Sequence, residues 1–449
     1  MLILLSLSFY IDMKFYMKSL TILYIIILML FSIPVVSKAG LEWSQPILLS
    51  PESYSDAYRQ YLGYYRGVLH VAWKDHSDIL DSGRDWDIFY RYRTINGGWS
   101  PIELVSDNCN GDSTCLSLDV DTLGRVHIAW QDSSNLFNSD SDRDIFYRYR
   151  TINGGWSPIE LVSNESKGMS GCPFIAADSL GRVHIVWADN GINGSDSDLD
   201  VFYREIINGT LGPIELISIN SSEDDFTPRI AVDNLLNLHV VWYEKSSNTY
   251  TVYYAYKPYD GYWSKPEVVS INCSGSSVEP CIVTDSKYNV HIIWNDNTNL
   301  NCGYDYDIFY RIKYKDDSWS SIKVISKNSH IDCKWPWMTI DQNDTIYIAW
   351  CDKVSGSDYD VVLTYKENDK WIPAEIVSKN SSYDSNWPRM VIDSNQTIHM
   401  TWWDDVDGHW EIFYSYGYKK NPVENNTSFS ILPYLLLALL LLVFLKRHD

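Results

Sequence analysis

Basic residues are in short supply in this chain. Lys and Arg number 36 against 58 Asp and Glu, a formal net charge of −22. A surface that acidic repels a phosphate backbone, so nucleic acid is excluded as a partner, while cations and neutral glycans stay open. None of the eight cysteines forms a C-x-x-C, which removes zinc-ribbon and thioredoxin-type readings. A phosphate-cradling loop, a dinucleotide fingerprint and a Ser–His–Asp signature are also missing. Ala and Leu are scarce through the central region, which argues against helices.

Aromatic residues are abundant, with 33 Tyr and 19 Trp in 449 residues. With 45% hydrophobic residues the chain is too apolar for disorder and long enough for a large core. Two apolar runs lie at the ends. Lys14 and Lys18 precede the run Leu20 to Val36, and Ser37-Lys38-Ala39 places small residues before a cleavage point after Ala39. This layout predicts a signal peptide over 1–39, with Met13 or Met17 as the translation start; the alternative is a retained N-terminal anchor. Phe429 to Leu445, at ~1.5 Å rise per residue, spans about 25 Å and predicts a transmembrane helix over 429–445. The basic tail 446–449 belongs in the cytoplasm, with a polar tether over 418–428 and everything upstream outside the cell. Ten N-x-S/T triplets fit a cell-surface glycoprotein. The close pairs Cys109/Cys115 and Cys273/Cys281 are expected as disulfides in loops.

Internal repetition decides the fold. The segment Asp87 to Ser106 recurs unchanged as Asp144 to Ser163. A V-H-I-x-W type strand ends at Trp73, Trp130, Trp187, Trp242, Trp294, Trp350 and Trp402, and a W-S-x-P type strand falls at Trp43, Trp99, Trp156, Leu211, Trp263, Trp319 and Trp371. Each unit holds four short apolar segments bounded by turn residues. In the fourth unit these are Arg229–Asp233, Leu238–Tyr243, Thr251–Tyr256 and Trp263–Ser270, which we label a, b, c and d. Asn-Gly pairs at Asn96-Gly97 and Asn153-Gly154 signal c–d hairpins. Seven such units predict an all-β, seven-bladed β-propeller of four-stranded antiparallel blades over 41–417. The chain opens with a lone d strand, Leu41 to Ser50, and ends with a, b and c only, closing at Tyr416. The first strand is therefore expected to complete the last blade and leave no open edge.

The segments Asp121-x-x-Gly124-Arg125-Val126-His127-Ile128-Ala129-Trp130 and Asp178-x-x-Gly181-Arg182-Val183-His184-Ile185-Val186-Trp187 resemble the repeats of the sialidase-like superfamily of propellers, in the broad sense of surface proteins with BNR-like repeats. The likeness spans Leu41 to Tyr416. It departs from the family in lacking the S-x-D-x-G-x-x-W form of the Asp-box and in having seven units where catalytic sialidases usually have six. The resemblance implies a cluster of three Arg, a Tyr with a Glu partner and an acid if the chain is a sialidase. At the start of strand a the aligned positions read Gln60, Ser117, Phe174, Arg229, Cys281, Trp337 and Arg389. Two Arg do not make the cluster, and the chain is read as a binding module ahead of an enzyme.

The b–c and d–a loops share one end of the propeller, which is the expected ligand face. The d–a loops Trp335-Pro336-Trp337 and Asn386-Trp387-Pro388-Arg389 break the repeat. With Phe174 and Arg229 they supply the candidate ligand-binding residues Phe174, Arg229, Trp335, Trp337, Trp387 and Arg389, suited to sugar rings or charged groups; the alternative is that the aromatics plug the channel. The b–c loops are acidic, with an acid after each b-strand Trp and D-x-D at the start of strand c in five units. These carboxylates either hydrogen-bond the loops or bind calcium, and Asp189, Asp196, Asp198 and Asp200 form the best calcium candidate. No other cofactor is expected. The His series at His70, His127, His184, His239, His291 and His399 is expected to pack and bridge blades, since equivalent positions in different blades cannot meet around one ion. The expected function is a membrane-anchored module binding extracellular glycans or proteins, with a sialidase-like glycoside hydrolase and a structural envelope component as the alternatives.

Overall fold

The computed structural model describes residues 40–94, 97–137, 139, 142–192, 198–327, 329, 331–354, 356, 358–379, 381, 383–406 and 408–420. The expected signal peptide, transmembrane helix and cytoplasmic tail, and most of the tether, lie outside the described residues. Among the described residues every regular element is a strand, and no helix is long and apolar enough to cross a membrane. The chain divides into Trp43–Tyr418 and a second unit, of which Gly40–Glu42, Lys419 and Lys420 are described. In that second unit the Lys420 amide donates to the Gly40 carbonyl at 3.1 Å.

Trp43–Tyr418 is a propeller of seven antiparallel sheets. In blade 4 the strands are Asp225–Val232 (a), Leu238–Ser246 (b), Thr249–Lys257 (c) and Glu267–Val268 (d). The other a strands are Ala57–Tyr65, Thr114–Val120, Ser170–Ala177, Ser277–Thr284, Lys334–Ile340 and Ser385–Ile392. Each lies beside the a strand of the next blade, and the last lies beside the first, so they form a closed inner ring. Closure comes from the N-terminal strand: Ile47–Leu48 pairs with His409–Lys419, placing Ile47 opposite Tyr414 and Leu48 opposite Phe413. Ser50 and Glu411 repeat the side-chain contact made inside other blades by Ser106 with Asp87 (2.7 Å) and Ser163 with Asp144 (2.6 Å).

Repeated polar contacts explain the repeated residues. Trp294 is fully buried, and its indole N–H donates to Asp296 at 2.8 Å; Trp187 does the same to Asp189 at 3.0 Å. The same carboxylates accept from the Ser that opens strand a, Ser277 at 2.5 Å and Ser170 at 2.6 Å. A buried indole N–H and a buried carboxylate thus satisfy each other, which is why an acid follows the Trp. The second Asp of each D-x-D accepts from the Ser ending strand d. The D-x-x-G segments are a–b turns. Asp121 accepts from the amides of Leu123 (2.9 Å) and Arg125 (2.8 Å), and Gly124 takes φ +77°.

The His series makes its hydrogen bonds within each blade, to a Tyr of strand c on the same face, two residues from the directly paired position. His184 Nδ1 meets the Tyr203 hydroxyl at 2.8 Å and its Nε2 meets Asp178 at 3.3 Å. Burial pushes the His70 imidazole down to about 3, so it stays neutral. Blades join instead through the d-strand Trp, which packs edge-on against that Tyr of the preceding blade: Tyr90–Trp156 at 5.4 Å, Tyr203–Trp263 at 5.3 Å and Tyr310–Trp371 at 5.4 Å between ring centres.

Blade 4 departs from this scheme. Asp225 stands where four other blades have Ser (Ser113, Ser170, Ser277 and Ser385) and takes the Trp242 indole N–H at 2.9 Å. Burial raises its carboxyl to about 9, and the charges of Glu244 and Asp200 push the same way. The folded chain therefore holds this proton more tightly than the unfolded chain, and stability is lost as pH rises from about 4 to about 9. Asp225→Asn keeps an acceptor for Trp242 and cannot ionise. Urea midpoints at pH 5 and pH 9 are expected to fall less for the variant than for the parent; equal falls would contradict the assignment.

Candidate functional site

Every a strand carries a β-bulge near its start, where two residues oppose one on strand b. One bulge residue per blade has a left-handed backbone: Arg59 (φ 56°), Cys115 (46°), Cys172 (51°), Thr227 (48°), Glu279 (53°), Trp335 (51°) and Trp387 (55°). For non-glycine residues this conformation costs about 1–3 kcal/mol each. Pro follows the bulge residue in five blades, as at Cys172-Pro173 and Trp387-Pro388. Proline is tolerated there because a bulge on an edge strand leaves an amide out of the ladder. The seven residues occupy one equivalent position around the ring.

Two residues further along lies a second layer: Tyr61, Ser117, Phe174, Arg229, Cys281, Trp337 and Arg389, opposite Ala72, Ala129, Val186, Val241, Ile293, Ala349 and Thr401. The blade 1 member is Tyr61 and not Gln60, because the a–b connection of blade 1 is one residue shorter than in the other blades: Leu62 pairs with Val71, where blade 3 pairs Ile175 with Ile185. Gln60 is buried and donates from Nε2 to the Trp387 carbonyl at 2.8 Å. This layer fills the channel. Tyr61, Phe174 and Trp337 meet at 5.8–6.3 Å between ring centres, and the Arg389 guanidinium lies 4.3 Å over Trp337 and 4.9 Å over Tyr61. Arg389 is 2% exposed. Of the candidate ligand residues, Phe174, Trp337 and Arg389 therefore form a plug.

Trp335 and Trp387 belong to the bulge ring and pack together at 5.5 Å. Trp335 continues to Trp403 at 6.0 Å, making an indole wall along blades 6 and 7. Arg59 lies 5.2 Å over Trp387. Beside this wall opens a cavity of about 310 Å3 over the plug. Arg59, Arg143 and Arg229 line it with Glu279, Tyr243, Phe226, Cys115, Cys172 and Trp387. Arg229 packs 4.7 Å over Phe174. Three guanidinium groups against one carboxylate invert the charge balance of a chain whose net charge is −22. Burial and the Glu279 charge push the Tyr243 phenol up to about 12, so it remains a hydrogen-bond donor at ordinary pH.

Arg229 and Trp387 are thus the candidates that reach the cavity, while Trp335 stays in the indole wall. Arg59, Arg143, Tyr243 and Glu279 were not legible as site residues, although the x-Pro pattern at the bulges marks the ring position of Glu279. The calcium candidates do not assemble a site among the described residues, where no group of three or more His, Cys, Asp or Glu could hold a metal ion. Asp189 is taken up by Ser166, Ser170, Trp187 and the Gly191 amide, and Asp200 accepts from Ser218. Asp196 lies outside the described residues. All eight cysteines are free. The expected pairs fail because Cys115 and Cys281 lie in strand a. Cys115 faces Cys172 of the next blade at 3.8 Å, and Cys281 faces the Met338 carbonyl at 3.8 Å.

No protein-family model and no curated protein matches the chain. Solved structures do. An ulvan lyase of polysaccharide lyase family PL25, bound to -[GlcA(1-4)Rha3S]-, is 10% identical with a TM-score of 0.56, over 80% of this chain and 94% of the lyase. A protein of unknown function from Dyadobacter fermentans is 10% identical with a TM-score of 0.50, over 70% of this chain and 96% of that one. Trypanosoma rangeli sialidase in complex with sialic acid is 8% identical with a TM-score of 0.45, over 80% and 54%. At these identities the likeness is one of fold. With seven closed four-stranded blades, the chain shares the β-propeller fold with these proteins.

Proposed function

We propose that the protein is a cell-surface propeller that binds acidic glycans in the cavity at the channel mouth. The observation that carries this reading is the grouping of Arg59, Arg143 and Arg229 in one cavity of a strongly acidic chain. Guanidinium groups hold carboxylates and sulfates by paired hydrogen bonds, and Trp387, Phe226 and Tyr243 offer aromatic faces for the sugar rings. That structural neighbours act on glycans agrees with it. Display outside the cell rests on the leader-like segment before Ala39 and the apolar run 429–445.

The test is a panel of immobilised glycans probed with the full chain in detergent. Uronate- or sulfate-bearing glycans should be retained over neutral ones, with retention falling as salt rises. Arg143 is exposed, so Arg143→Ala should fold normally and weaken binding about tenfold or more, the loss of one charge-assisted contact. Equal retention of neutral and acidic glycans would refute the reading.

One observation favours glycoside hydrolysis as a second reading: three Arg, Tyr243 and Glu279 line the same cavity. A phenol pushed up to about 12 is a poor nucleophile, which favours binding. Turnover of aryl glycosides that disappears in Tyr243→Phe would reverse that order.

A further inference from the structure

Two thiols in the cavity wall have no part in this binding scheme. Cys115 and Cys172 occupy the bulge positions of adjacent blades, with their sulfurs 3.8 Å apart. Arg59, the bulge residue of blade 1, brings Nη1 to 2.7 Å from the Cys115 sulfur. Both cysteines are half-buried and line the cavity.

We propose that Cys115 and Cys172 form a thiol–disulfide pair across blades 2 and 3, with Cys115 as the attacking sulfur and Arg59 as its counter-charge. The hydrogen bond from Cys172, together with the charges of Arg59 and Lys74, draws the Cys115 thiol down, while Cys172 is driven up as the donor. The remaining thiols move the opposite way on burial, Cys273 to about 12 and Cys302 to about 11. Cys115 thiolate attacks one sulfur of a small-molecule disulfide such as oxidised glutathione, forming a mixed disulfide and expelling a thiolate. Cys172 then gives up its proton, attacks the Cys115 sulfur and expels the second thiolate. The two cysteines lose two electrons, the small disulfide gains them, and the two expelled sulfurs leave as one thiol and one thiolate. The sulfurs must close from 3.8 Å to about 2 Å, which side-chain rotation on two neighbouring strands can supply. Oxidation also removes the thiolate that occupies Arg59. On the acidic-glycan reading, the oxidised form is the tighter binder.

The thiol chemistry can be tested without any glycan. The full chain, fully reduced, is treated with iodoacetamide at pH 6. Cys115 should react about tenfold or more faster than the other thiols, and Arg59→Met should remove that lead. Treatment with oxidised glutathione followed by alkylation and peptide mapping should join the Cys115 and Cys172 peptides with loss of two hydrogens. In Cys172→Ser, glutathione should remain attached to Cys115. Alkylation of Cys115 no faster than Cys302, a bond to Cys109, or both thiols still free after oxidation would each overturn the proposal. A correct thiol result with unchanged glycan affinity would leave the pair standing and count against the acidic-glycan reading alone.

Discussion

Trp294→Ala is expected to destabilise the propeller by about 3–5 kcal/mol, the usual cost of emptying a large aromatic site in a core. Trp294 has no exposure and fills the space between blades 4 and 5, among Val241, Val252, Tyr254, Ile292 and Phe309. Little can collapse into the hole, because both walls are strands held in register by neighbouring sheets. The substitution also strips Asp296 of its 2.8 Å indole donor while Ser277 and the Thr298 amide remain. Thermal and urea unfolding of the full chain would measure the loss. A cost below about 1 kcal/mol would mean that this layer is not the close-packed core described.

Leu49→Ala should cost about 2–5 kcal/mol, as much as Ile217→Ala in an uninterrupted blade. Leu49 is fully buried on the closing strand, and its amide donates to the Ile412 carbonyl at 2.7 Å. Ile217 holds the equivalent place in blade 3, is also fully buried, and donates to Val201 at 2.8 Å. If the N-terminal strand closes the ring, loosening it exposes the edge of His409–Lys419 and threatens the whole molecule. A silent Leu49→Ala beside a damaging Ile217→Ala would show that the ring holds without it.

The architecture was readable because a propeller writes the same packing problem seven times. Every blade buries a Trp, and most give its indole a carboxylate that a Ser completes, so Trp, Asp and Ser recur at a fixed spacing. The lone opening strand was equally legible, because seven copies of d could be counted against seven of a, b and c. The site was harder because it depends on register within a strand. The a–b connection of blade 1 is one residue shorter than in the other blades, so counting back from strand b by their spacing selects Gln60 in place of Tyr61. Arg143 comes from the residue before strand c, Tyr243 from strand b and Glu279 from a bulge, and only the ring brings them to one cavity. Carboxylates repeated in every blade look like cation ligands or loop hydrogen-bonders in sequence; in the fold Asp189 and Asp200 accept from hydroxyl, indole and amide donors.

Titration calorimetry of the full chain with a uronate-containing oligosaccharide, beside the same oligosaccharide with its carboxylates reduced to alcohols, addresses the cavity most directly. The acidic form should bind about tenfold or more tightly than the reduced one, and Arg143→Ala should erase most of the difference while leaving the melting temperature unchanged. Equal heats and affinities for the two sugars, or a preference that survives the loss of Arg143, would contradict the assignment of the arginine-lined mouth as the recognition site.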